Sequence, residues 1–292
     1  MLNDLLIHPR TRAQLEHFIA SPSHGLLLSG PEGSGKRTLA NAVSAGLLGV
    51  TRTKLIIHPY YSLTDPAETV ITIEELRTLQ RLLTLKTPKS EGSSIHRVLT
   101  IIDANRLRTE AQNAFLKNLE EPPTDTCIIL TANSAGDLLS TILSRVQHIT
   151  ILPVSLDMAQ EYYKTRGIPA TVLQKNYALS QGQVGLLDSL LQSETDHPLK
   201  EWVDKAKILL SKQPGERILQ TDELSKDKPG ILMLLNALGR IVHAAMVSAS
   251  NQGNSSAIKR WQNSLNVIQE THEAIKHNAN TKLLLDNLLL NI

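Results

Sequence analysis

Gly30-Pro31-Glu32-Gly33-Ser34-Gly35-Lys36 fits the pattern G-x-x-x-x-G-K. Glycines at this spacing let successive backbone N–H groups turn into a concave nest for phosphate oxygens. A helix opening at the lysine adds the partial positive charge of its N-terminus, and Lys36 reaches the outer phosphates. The following position ordinarily supplies a Ser or Thr hydroxyl to Mg²⁺, and here it is Arg37. Thr38 lies one residue further on, about 100° around a helix, so it points elsewhere. A guanidinium cannot ligate a cation, although it can neutralise phosphate charge directly. The chemistry to expect is nucleoside triphosphate binding with the metal arm missing; a glycine-rich strand-to-helix turn with no ligand is the plainer alternative.

Such a loop must be held between a strand and a helix, and the flanking sequence provides both. "GLLLSG" (25–30) reads as a buried strand and "GKRTLANAVSAGLL" (35–48) as a helix. The apolar runs "KLIIHPY" (54–60), "RVLTIID" (97–103), "TCIILTAN" (126–133) and "ITILPV" (149–154) read as further strands. Helical spacing fills 72–86, where Thr72 and Glu75 form a capping box, and 108–121, which Pro122-Pro123 stops. Residues 87–96 read as a polar loop. Strands alternating with helices imply a mostly parallel sheet covered on both faces. After about residue 154 the strand signal ends and helices follow to the C-terminus, interrupted by the polar run 248–256. The fold class is therefore α/β, with a parallel-sheet domain over 1–152, a small helical lid over 153–200 and an all-α domain over 201–292.

Composition narrows the setting. The 292 residues carry a net charge of only +2, so no polyanionic partner is demanded. A single cysteine excludes an internal disulfide or a four-cysteine zinc site and points to a reducing, cytoplasmic setting. The ten histidines lack ligand spacing. The N-terminal residues lack a signal-peptide pattern, and no apolar run reaches the eighteen or so residues of a membrane span, so no membrane partner is expected.

The run "VLTIIDANRLRTEAQNAFLKNLEEPP" (98–123) closely resembles bacterial clamp-loader subunits of the AAA+ class, whose pattern reads D-E-A-D-R-L followed by N-A-L-L-K-T-L-E-E-P-P. Counting back from Asn113 puts Ile102 in the metal-binding Asp slot and Asp103 in the water-activating Glu slot. Counting from the strand puts Asp103 first and Ala104 second. One carboxylate is missing either way. "CIILTANSAGDLLSTILSRVQHI" (127–149) resembles the same family's strand, turn and arginine-finger helix. Asn133 falls where a small polar residue is kept near the γ-phosphate, and Ser144-Arg145 matches the S-R-C element with Val146 for its cysteine. "SQGQVGLLDSLL" (180–191) resembles the lid pattern G-S-x-R-x-A-L, with Gly185 where a phosphate-sensing arginine stands.

This combination is most similar to the delta-prime family of bacterial DNA polymerase III, over residues 24–148 and more weakly to the end. The resemblance implies a subunit of a hetero-oligomeric clamp-loader ring that helps load the sliding clamp onto primed DNA. Arg145 would act as an arginine finger on a neighbouring subunit's ATP. No cofactor is required, ATP or ADP would be held without hydrolysis, and the four-cysteine zinc module of many members is replaced by "GVTRT" (49–53). The C-terminal helices would form the ring's collar, with Leu283, Leu284, Leu285, Leu288, Leu289 and Leu290 as an apolar face for either an interface or an internal core. Trp202 and Trp261 read as core residues. Lys86, Lys89, Arg97, Arg106 and Arg108 read as a DNA channel or as ordinary surface. The competing readings are an active AAA+ motor ATPase, in which Asp103 holds Mg²⁺, and a small-molecule kinase.

Overall fold

The computed structural model describes residues 2–65, 95–107, 109–123, 125–192, 197–276 and 279–292. The expected helix over 72–86, most of the polar loop that follows it, Lys86, Lys89 and Arg108 lie outside the described residues. The chain divides into two compact units, Met1–Ile168 with Gly182–Leu186, and Pro169–Gln181 with Leu187–Ile292.

The first unit is built on a five-stranded sheet, β1 (Gly25–Ser29), β2 (Tyr61–Thr64), β3 (Arg97–Ile101), β4 (Thr126–Ala132) and β5 (Gln147–Thr150), in the order β2-β3-β4-β1-β5. All the pairings are parallel. A central parallel strand is covered on both faces, which is why β1, β3 and β4 read as unbroken apolar runs and are buried along their whole length. One face packs Leu26, Leu28, Val98 and Ile129 against Leu39, Ala40 and Val43 of α2 (Lys36–Leu47), with Leu15 and Phe18 of α1 (Pro9–Ala20). The other packs Leu27, Leu99, Ile101 and Leu130 against Ala111, Phe115 and Leu119 of α4 (Thr109–Glu120) and Ile142 of α5 (Ser140–Leu143).

One expected strand is not there. Residues 52–55 form a short helix, α3 (Arg52–Leu55), and Ile56 and Ile57 are 76% and 80% exposed. The strand lies beyond Pro59, at Tyr61–Thr64, where it is half-buried at the sheet edge. Proline has no N–H for a ladder, so the chain pairs only after it.

The second unit is helical. It holds α7 (Ala170–Ser180), most of α8 (Val184–Gln192), α9 (Pro198–Ser211), α10 (Pro214–Ile218), α11 (Thr221–Leu224), α12 (Lys228–Asn251), α13 (Ser255–Lys276) and α14 (Thr281–Asn291); α6 (Leu156–Lys164) belongs to the first. The polar run 248–256 is mostly helix end and helix start, with the turn confined to 252–254. Among the described residues α12 is the one helix long and apolar enough to cross a membrane, with a mean hydropathy of 1.7 over eighteen residues. That corrects the expectation that no such run exists. Its apolar content has an internal destination, since Ile231, Leu234, Leu235, Leu238 and Val242 are buried and it packs against α7, α9 and α13. In α14 the leucine face splits: Leu285, Leu288 and Leu289 are fully buried, whereas Leu283 and Leu290 are exposed. Trp202 and Trp261 are only half-buried, with Lys205 and Arg260 stacked over their rings.

Candidate functional site

The phosphate loop turns as its glycines require. Gly33 (φ 84°) and Gly35 (φ 87°) both adopt the left-handed backbone, and Gly35 is the N-cap of α2 with no side chain capping it. What meets this loop is protein. The Leu186 N–H donates to Gly33 O at 2.8 Å. A Cβ on Gly185 would stand 3.0 Å from Gly33 O, 3.0 Å from Gly35 N and 3.1 Å from Gly35 Cα, and one on Gly33 would stand 2.7 Å from Leu186 Cβ. The segment is anchored from behind, with Val154 N donating to Gly182 O at 3.0 Å. Backbone thus lies on backbone at Gly185.

Lys36 is committed in the same way. Its ammonium donates to Gly30 O (2.8 Å), Pro31 O (3.2 Å) and Asn133 Oδ1 (2.9 Å), which uses its three protons. Burial pushes its pKa below the usual 10.5, with Asp103 and then Glu32 pulling it back. Arg37 is exposed and ion-paired with Asp65, just past β2, and Thr38 faces solvent on α2. Ser34 Oγ is buried without a partner among the described residues. Gly30 passes so close to Ser34 that a Cβ there would stand 2.8 Å from Ser34 Oγ. In this arrangement the residues do not fit a bound triphosphate, because the nest is covered by Gly185 and Leu186 and the lysine's three protons are already taken by carbonyl and amide oxygens.

At the end of β3, Ile102 is buried in the cluster shared with Leu39, Ala40 and Val43 of α2, so the position facing the loop's helix is apolar. Asp103 follows in a left-handed conformation (φ 49°), its N–H bonded to Thr131 Oγ1 at 2.8 Å and its carboxylate 3.7 Å from Arg106. The carboxylate is near enough to Lys36 to raise that lysine's pKa. Lys36, Asp103 and Asn133 therefore converge at the carboxyl edge of the sheet, joined by Gly185. Arg97 is buried at 6% exposure, so it lines neither a channel nor the surface.

Arg145 stands elsewhere. It precedes β5, and β5 pairs in parallel with β1 from Leu26 opposite Gln147, so Arg145 lies at the amino edge beside Gly25. The phosphate loop leaves the carboxyl edge of β1. Five residues of strand, about 16 Å, separate the two, further than an arginine side chain spans. Its Nη1 donates to Thr141 O at 2.8 Å and Ser144 Oγ at 3.1 Å, and Nη2 pairs with Glu120 at 2.7 Å. The group borders an open depression of about 550 Å³ lined in part by Ser23, His24 and Leu119.

Residues 8–155 match the family model described as "DNA polymerase III, delta subunit". The chain belongs to this family. The DNA polymerase III subunit delta' of Pseudomonas aeruginosa is 32% identical over 183 residues, 56% of this chain and 54% of that protein. The delta' subunit of Bacillus subtilis is 30% identical over 164 residues, 51% of this chain and 48% of that one. The chain thus matches about half the length of these delta' relatives. For the fold, the crystal structure of a DNA polymerase III gamma subunit-related protein of Thermotoga maritima superposes with a TM-score of 0.54 at 20% identity, covering 96% of this chain and 97% of that one. A parallel sheet followed by a helical C-terminal part is the fold this chain shares with that protein.

Within the delta-family stretch fall the phosphate loop, Asp103, Asn133 and Arg145; Gly185 lies beyond it. Two partners escaped sequence reasoning. Asp65 takes up Arg37, and Glu120, the first acid of the quoted E-E-P-P run, takes up Arg145. Neither is near its arginine in sequence, and nothing in their local spacing distinguishes them from other surface acids.

Proposed function

We propose that this delta-family chain is a non-hydrolysing subunit of a hetero-oligomeric clamp-loader ring in the DNA polymerase III holoenzyme, cytoplasmic, that helps load the sliding clamp onto primed DNA. It contributes Arg145 to the ATP of a neighbouring subunit and hydrolyses none itself. The single observation that carries this reading is the opposition of the two groups across the sheet. Arg145 is out of reach of its own phosphate loop, so any phosphate it serves belongs to another chain. The closed loop, the committed Lys36 and the apolar Ile102 support the other half, a degenerate site that requires no nucleotide. The delta' names of its relatives support the ring setting, and the helical second unit supplies a collar. An arginine of this kind is worth about 10³–10⁵ in rate where it acts alone, or about 4–7 kcal/mol. In a ring with several sites in parallel the whole-complex effect is smaller.

The test is ATP turnover by the clamp loader reconstituted from its own subunits. Arg145→Ala should lower turnover several-fold while the ring still assembles on gel filtration, and the isolated chain should show no Mg²⁺-dependent turnover. Unchanged turnover of the ring would remove the finger assignment, and hydrolysis by the isolated chain would favour the motor-ATPase reading.

A further inference from the structure

Glu120 sits where an acid is least welcome. It ends α4, where the helix dipole disfavours negative charge, and Glu121 stands beside it before Pro122 stops the helix. Its counter-charge is the guanidinium of Arg145, at 2.7 Å. That guanidinium is curled back onto the chain, with Thr141 O and Ser144 Oγ accepting from its other arm. Both side chains are part-exposed, 33% for Arg145 and 47% for Glu120. The open depression of about 550 Å³ beside them leaves room for Arg145 to swing outward without moving the backbone.

We propose that Glu120 is a positioning residue that holds Arg145 retracted and sets how readily it extends to phosphates bound by an adjoining subunit. This rests on the arginine-donor reading above. A guanidinium that serves a phosphate in trans must first give up its carboxylate, exchanging one anionic fork for another. While retracted, it compensates Glu120 at a helix end; once extended, it leaves that carboxylate uncompensated, which favours return after hydrolysis. The pair is therefore a two-position device whose balance a single carboxylate sets.

Single-turnover ATP hydrolysis by the complete clamp loader on primed DNA, with its sliding clamp, reads this balance. Glu120→Gln should raise the rate about two- to fivefold, the factor that corresponds to about 0.4–1 kcal/mol for releasing a part-exposed ion pair. The gain should shrink as ionic strength rises, because salt already loosens the pair in the unaltered protein. Glu120→Asp, which keeps the charge, should fall between the two, ring assembly should stay unchanged, and the melting temperature should fall by no more than about 4 °C. Glu120→Gln combined with Arg145→Ala should match Arg145→Ala alone. If Glu120→Gln leaves the rate unaltered or lowers it while Arg145→Ala lowers it, the latch is wrong and the donor assignment stands. If Arg145→Ala itself changes nothing, the donor assignment fails and the latch with it.

Discussion

Replacing Gly185 by alanine tests the closed phosphate loop directly. The added methyl would meet three backbone atoms, Gly33 O, Gly35 N and Gly35 Cα, at 3.0–3.1 Å. None is the flexible end of a side chain, so the Gly182–Leu186 segment must lift by a few tenths of an ångström or more. Overpacking of this kind costs about 1–3 kcal/mol. Loosening the Leu186 N–H bond to Gly33 O adds about 0.5–1.5 kcal/mol. Against this stands the better helix propensity of alanine, at most about 1 kcal/mol at the start of α8. The net is a loss of about 0.5–4.5 kcal/mol, or a fall of about 1–18 °C in the first unit's melting temperature. The same number bears on nucleotide. A closed state destabilised by about 2 kcal/mol, within that range, raises apparent nucleotide affinity by at most about thirtyfold. The assay is a thermal melt beside a titration with a fluorescent ADP analogue. A melting temperature that stays level or rises in Gly185→Ala would refute the seating of the turn on the loop. Micromolar binding by the unaltered chain would refute its closure.

Two further outcomes follow from burial. Cys127 lies inside β4 with its pKa pushed up to about 12 by desolvation, against an ordinary 9.0. An aromatic disulfide reagent at pH 8 should therefore react only as fast as the first unit opens, and rapid labelling of the folded protein would contradict the buried placement. Because the folded pKa is raised, this thiol's contribution is intact below pH 9 and is lost as pH climbs from 9 towards 12, by up to about 4 kcal/mol. In the second unit Arg217 is 9% exposed and donates to Leu210 O, Lys212 O and Ile292 O, tying α9 and α10 to the end of α14. Arg217→Ala leaves those carbonyls unpaired and should cost about 2–4 kcal/mol of that unit's stability in urea melts; a loss below 0.5 kcal/mol would show that water replaces the guanidinium freely.

The sheet was legible wherever burial on both faces wrote an apolar run into the sequence, as in β1, β3 and β4. It was illegible at β2, an edge strand of Tyr61, Ser62, Leu63 and Thr64 whose half-buried residues carry no such run. The apolar Ile56-Ile57 next to it drew the assignment to the wrong side of Pro59. The two possible alignments of the acidic pair also stayed open in one dimension. Strand parity places Ile102 on the face of α2, with Asp103 next in a left-handed conformation.

The chain's own residues determined the G-x-x-x-x-G-K pattern, the arginine after its lysine, the single acid after β3 and the arginine preceding β5, because each is a matter of residue type at a fixed local spacing. The tertiary structure alone decided what those residues face. Gly185 is legible only as a glycine, and its lack of a side chain is what lets the 182–186 segment lie on the phosphate loop. Lys36 is legible as a phosphate ligand, yet three protein oxygens take its protons. Arg145 is legible as the arginine before β5, and its distance from its own loop follows from a parallel sheet that puts one group at each end of the same strand pair. Apart from the local Gly30 and Pro31 carbonyls, such facts depend on contacts between segments tens to more than a hundred residues apart, which local sequence pattern does not encode.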